Sequence, residues 1–162
     1  MARVKDKGFV ENFLKRDGRL NRWRYFKRLL ALFLISELVL IVAGTIVMII
    51  FYVLMPDASF WNNDAEIRNY TIIFAQGVCF LMTPAYFCLM VRRLHDLNKG
   101  AAIAYWLTAV SCANILGLDL GQREDSILEN ILQLIHFGFT IYLLFFRGTK
   151  GNNQYGSDPL ER

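Results

Sequence analysis

The chain has 162 residues, 55% hydrophobic and 20% charged, with a mean hydropathy of +0.32. An average soluble domain carries roughly 45–50% apolar and about 25% charged residues. Here most of the apolar content falls in four blocks with the charge between them, which excludes an ordinary soluble domain, a disordered chain and a disulfide scaffold.

The net charge of +4 comes from 18 Lys+Arg against 14 Asp+Glu. It admits nucleic acid or a membrane as partner, and the positions of the cations decide between them. Residues 1–28 form a basic arm with ten Lys/Arg. Within it, Gly8–Asp17 places Phe9, Val10, Phe13 and Leu14 on one helical face. That predicts a short amphipathic segment suited to an anionic leaflet. Gly18 can end it and Asn21 can cap the next helix. Trp23, Tyr25 and Phe26 are then expected at headgroup level.

Four apolar blocks follow, at about 29–55, 71–91, 101–118 and 127–146. A bilayer core of ~30 Å needs roughly 20 helical residues. The first, second and fourth meet that length. The third is marginal and carries Ser111 and Asn114. The first is too long, and begins too far into the chain, for a cleaved signal peptide. Uninterrupted apolar runs without alternation predict helices, the one open-ended element that satisfies its own backbone in lipid. The expected fold is therefore all-α: a four-helix transmembrane bundle over 29–146, an N-terminal amphipathic interfacial helix, and a cytoplasmic tail over 147–162. Pro84 lies inside the second block and leaves the carbonyl of Phe80 without its helical donor.

Counting cations by loop orients the bundle. The arm, the 92–100 loop and the tail hold sixteen of the eighteen Lys/Arg, whereas the 56–70 and 119–126 loops hold one each. By the positive-inside rule both termini are cytoplasmic. Topology explains the basic balance, and no nucleic-acid partner is called for. Cys79, Cys88 and Cys112 lie within apolar blocks at spacings that suggest neither a disulfide framework nor a zinc site. No metal or cofactor is expected.

Three short motifs carry a family likeness. Gly18-Arg19-Leu20-Asn21-Arg22-Trp23-Arg24-Tyr25-Phe26, Arg92-Arg93-Leu94-His95-Asp96 and Gly148–Pro159 resemble, in order, the opening, middle and closing motifs of the domain of unknown function 805 family. Phe26 replaces the family's usual Trp, and Asn98-Lys99-Gly100-Ala101 replaces a stretch that usually contains Ser-Gly-Trp. The resemblance implies a small, multi-pass protein of the bacterial inner (plasma) membrane with about four helices, and it implies no particular activity.

Charge counting puts all three motifs on the cytoplasmic face. Arg19, Arg22, Arg92, Arg93, His95, Asp96 and Asn152 are then expected in one layer. Asp96 can pair with Arg93 or Arg22. The remaining arginines outnumber the motif acids, Asp96 and Asp158, and suit a phosphate, most simply an anionic phospholipid headgroup. Topology and a helix-end clasp are the plainer reading of the same residues. Two ionisable residues lie within spans. Glu37 is about 12 Å deep and His136 about 15 Å deep at 1.5 Å per residue, so they are candidates for an intramembrane pair.

Three functions compete on this reading. The first is a binding or scaffold protein whose arginine layer engages anionic lipid or a partner. The second is an oligomeric transporter or conduit for a lipid or small solute, through Glu37 and His136. The third is a lipid-modifying enzyme using His95 and Asp96, with the least support. Membrane lipid is the expected partner, and a second copy or another membrane protein the expected protein partner.

Overall fold

The computed structural model describes residues 8–54, 64–115 and 127–160, without the side chains of 64, 65, 114, 128 and 129. Among the described residues the chain is all-helical. The arm forms a single wide turn of π-helix at Val10–Leu14, closed by the Lys15 amide donating to the Val10 carbonyl at 3.1 Å. This is shorter than the helix expected over 8–17. Of its four apolar residues, Phe13 packs against the core while Phe9, Val10 and Leu14 are exposed. The arm is docked rather than loose. Arg92 Nη1 donates to the Glu11 carbonyl at 3.2 Å, Cys88 Sγ to that of Leu14 at 3.2 Å, and Arg28 to Asn12 Oδ1 at 2.6 Å.

Gly18 turns the chain in the left-handed region (φ +89°), and helix α1 then runs Arg22–Leu54. Asn21 Oδ1 accepts from the Arg24 amide at 2.9 Å, the N-cap its side chain predicts. Trp23 and Phe26 are exposed and stacked, and Lys27 lies over the Trp23 ring. Tyr25, expected beside them at headgroup level, is instead 3% exposed. It lies two residues from Trp23, about 200° around the helix, and so faces the core.

Helix α2 runs Asp64–Asp96, α3 Ala102–Ile115 and α4 Ile127–Phe145. The start of α2 corrects the expected 56–70 loop: Asp64–Tyr70 is helical. Glu66 in its first turn favours the positive helix end, so polarity there does not break the helix. The remainder of that loop and the 119–126 loop lie outside the described residues, as does 116–118 of the third block. α2 ends where Asn98 adopts a left-handed φ of 57°. The amides of Asn98 and Lys99 fold back onto the carbonyls of His95 and Leu94, as in a Schellman cap.

α1 and α2 are each 33 residues, long and apolar enough to cross a membrane. α3 has 14 and α4 has 19. The length mismatch places the core. Leu20, Tyr25, Leu32, Leu89, Leu94, Leu107 and Leu143 pack at one end of the bundle. The far halves of α1 and α2 present Ile49, Val53, Leu54 and Ile73 outward. Only 6% of the most apolar 18-residue stretch of α1, and 17% of that of α2, is buried. A core helix of a soluble domain would bury most of it.

Candidate functional site

The three sequence motifs meet at the packed end. α1 and α3 start there, and α2 and α4 finish there. The Leu20 amide donates to the Arg92 carbonyl at 3.0 Å and the Thr149 amide to the Asp96 carbonyl at 2.8 Å. Arm, α2 end and tail are thereby tied by backbone alone.

Asp96 lies at the centre, 2% exposed. Its Oδ1 takes Arg19 Nε at 3.2 Å, and its Oδ2 takes Arg93 Nη1. Both guanidiniums are buried. All five Arg19 donors are engaged: Nη1 reaches the carbonyls of Gly151 (2.6 Å) and Gly156 (3.4 Å), and Nη2 reaches the carbonyl (2.5 Å) and hydroxyl (3.2 Å) of Thr149. Arg93 donates further to the carbonyls of Leu143 (2.7 Å), Leu20 (3.4 Å) and Phe146.

Two arginines against one aspartate looks unbalanced, and four motif arginines against Asp96 and Asp158 were expected to leave charge for a phosphate. The helix ends account for it. The C-termini of α2 and α4 both point into this layer, and each carries roughly half a negative charge on its unpaired carbonyls. Arg93 binds the last carbonyls of α4, and the tail caps those of α2. Arg19 and Arg93 therefore have protein acceptors in the place expected for a headgroup.

The tail is irregular but held. Asn153 and Gly156 exchange backbone hydrogen bonds at 3.1 and 3.0 Å, and Asp158 accepts from the amides of Gly151 and Leu160. Asn153, not Asn152, joins the site: its Nδ2 donates to the His95 carbonyl at 2.9 Å and to Thr149 Oγ1 at 3.0 Å. Asn152 is exposed. With Gly151 at φ +72°, the turn sends one asparagine outward and the next inward. His95 stacks on Tyr155 (centroids 4.0 Å apart, 6° between planes), and its Nδ1 lies 3.3 Å from the Gly18 carbonyl. A carbonyl only accepts, so Nδ1 carries the proton.

Arg22, expected in the layer, is exposed at the start of α1. Arg92 is buried, but it reaches sideways to the arm. The Glu37–His136 pair is not formed. Glu37 is exposed on α1, whereas His136 faces an interior cavity with its Nδ1 3.4 Å from Ser111 Oγ. The sequence reading missed Thr149, Asn153 and Tyr155. It also missed Gly148, where a Cβ would fall onto the Asp96 carboxylate. Gly148→Ala should lower stability by about 1–3 kcal/mol through overpacking. Gly77→Ala, with open space around it, should be near neutral. Equal melting temperatures for the two variants in detergent would refute the tight seat of Asp96.

The model of a family described as a protein of unknown function (DUF805) matches residues 13–157, nearly the whole chain. The chain belongs to this family. The match includes Arg19, Arg93, Asp96 and most of the tail, so the clasp of this DUF805 protein is built within the family's own segment. No curated protein and no solved structure matched. Among the described residues no group of three or more His, Cys, Asp or Glu is placed to hold a metal ion.

Proposed function

We propose that this DUF805 protein is a multi-pass inner-membrane protein with all four helices in the bilayer and both termini in the cytoplasm, acting as a binding or scaffold protein at the inner leaflet. The outward apolar halves of α1 and α2 support the membrane setting. The single observation that carries the scaffold reading is the clasp: one buried Arg19–Asp96–Arg93 cluster ties the arm, both helix C-termini and the tail into one platform, which this reading sets at the cytoplasmic face. Exposed cations surround it. Arg22, Lys27, Lys99, Arg147 and Lys150 all lie at that end, where each basic residue near an anionic surface contributes about 1 kcal/mol.

The role is non-enzymatic. Asp96 is committed to two arginines, and the His95 ring is stacked on Tyr155, so neither stands as an acid–base pair towards a substrate. The headgroup contact moves from the buried arginines to the exposed cations. Native mass spectrometry with phosphatidylglycerol and phosphatidylcholine tests this. The triple variant Arg22→Ser/Lys27→Ser/Arg147→Ser should lose most phosphatidylglycerol adducts, with phosphatidylcholine adducts unchanged. Equal phosphatidylglycerol adducts in variant and wild type would overturn the reading.

A further inference from the structure

Within the bundle, below the clasp, lies a cavity of about 330 Å³ lined from all four helices. Its polar wall is Tyr25 and Ser36 on α1, Thr83 and Tyr86 on α2, Thr108 and Ser111 on α3, and His136 and Thr140 on α4. None of its described lining residues is Asp, Glu, Lys or Arg.

Four of the hydroxyl protons of this wall are already engaged. Ser36 donates to the Phe33 carbonyl at 2.7 Å, Thr83 to Cys79 at 3.0 Å, Ser111 to Leu107 at 2.9 Å and Thr140 to His136 at 3.0 Å. A hydroxyl has one proton and two lone pairs, so what these four residues still offer is acceptance. His136 agrees. With the Ser111 proton committed to Leu107, the Nδ1–Ser111 contact requires the proton on Nδ1, which leaves Nε2 an acceptor in the neutral ring. The wall is therefore neutral and rich in acceptors, and it suits a group that can donate a hydrogen bond. An ammonium would be a buried charge with no carboxylate facing it, which costs several kcal/mol. A phosphate or carboxylate brings only further lone pairs and negative charge. A neutral hydroxyl fits.

The cavity also has a direction. One helical turn further from the clasp, at Leu40 on α1 and Ala75 on α2, begins an apolar groove of about 920 Å³ lined by residues such as Ile41, Gly44, Met48 and Phe74. Ser36 to Leu40 and Cys79 to Ala75 are each one turn, so polar cavity and apolar groove follow the same pair of helices. At Gly44 the Phe74 ring lies against α1, 3.5 Å from where a Cβ would stand, an ordinary van der Waals contact.

We infer that the cavity and groove together form a binding site for a neutral lipid alcohol, its hydroxyl held among Ser36, Thr83, Ser111, Thr140 and His136, and its chain laid along the α1–α2 groove. Ser36 lies about 21 Å along α1 from Arg22 at 1.5 Å per residue, well below the clasp. A neutral head reaches that depth at far lower desolvation cost than a phosphate. The site is independent of the headgroup reading above: it shares no residue with the surface cations.

The test uses the full chain in nonionic detergent and a hexadecanol carrying a mid-chain diazirine. Labelling should map to α1 and α2 around the groove, and hexadecanol should compete about tenfold better than its methyl ether, which keeps the chain and the acceptor but lacks the donor. Hexadecylamine and hexadecanoate should compete no better than the ether. Ser111→Ala/Thr140→Val should weaken labelling about tenfold. Ser111→Thr/Thr140→Ser, which keeps both hydroxyls, should label like wild type and so reports on folding. The triple surface variant should label fully, whatever its phosphatidylglycerol adducts do. Equal competition by alcohol and ether, better competition by the amine or carboxylate, or labels scattered over the outer surface would overturn the proposal.

Discussion

Asp96→Ala should be the most damaging single change in the chain. It leaves Arg19 and Arg93, both buried, without the carboxylate they share. Breaking a buried ion pair by removing one partner costs roughly 3–5 kcal/mol, a large part of the stability of a typical domain. The tail should detach as well, since Arg19 binds Asp96 and three tail residues with one guanidinium. The expected result is a large drop in melting temperature in detergent, with proteolytic cleavage moving to residues 148–158. Adding Arg19→Met should recover part of the loss, because one stranded charge goes with it. A melting temperature within a few degrees of wild type would refute the central place of Asp96.

Arg93→Lys keeps the charge and removes the fork. The guanidinium serves Asp96 on its own helix, Leu143 and Phe146 at the end of α4, and Leu20 in the arm. An ammonium has three donors on one atom and cannot span that set. At least one buried carbonyl loses its donor, at about 1–3 kcal/mol. Lys27→Arg, on the exposed surface, is the matched control and should change little. If Arg93→Lys melted like Lys27→Arg, charge alone and not the cross-helix cap would hold α4 to α2. The two variants also separate the contributions: Asp96→Ala removes the counter-charge, and Arg93→Lys the geometry.

The class of fold was legible because hydropathy reports long apolar helices directly. Their ends were less legible. α2 begins seven residues before its apolar block, because Asp64, Glu66 and Asn69 are polar without being helix breakers. The clasp was half legible. Arg19, Arg93 and Asp96 stand in motifs, and pairing Asp96 with Arg93 needs only the spacing of one helical turn. What no residue pattern announces is a backbone acceptor. The carbonyls of Leu143, Phe146, Thr149 and Gly151 take most of the arginine donors, and any residue type carries such a carbonyl. Counting acids against arginines therefore overstated the unmet charge. Position along a helix was legible for Glu37 and His136, but direction was not. Glu37 is one residue from Ser36, and 100° of helix rotation puts one outside and the other in the cavity. Asn152 and Asn153 were separated in the same way, by a single turn residue.

The clasp also sets an order of events during synthesis. Arg19 emerges early, yet its acceptors on Thr149 lie 130 residues downstream. At a translation rate of roughly 5–20 residues per second, the arginine waits on the order of 6–26 seconds for them. Through that interval the arm holds a charged guanidinium with no buried seat. The closing of this end of the bundle is thus timed by Thr149 and the residues after it, and a ribosome that stops short of Thr149 releases a chain whose Arg19 never comes to rest.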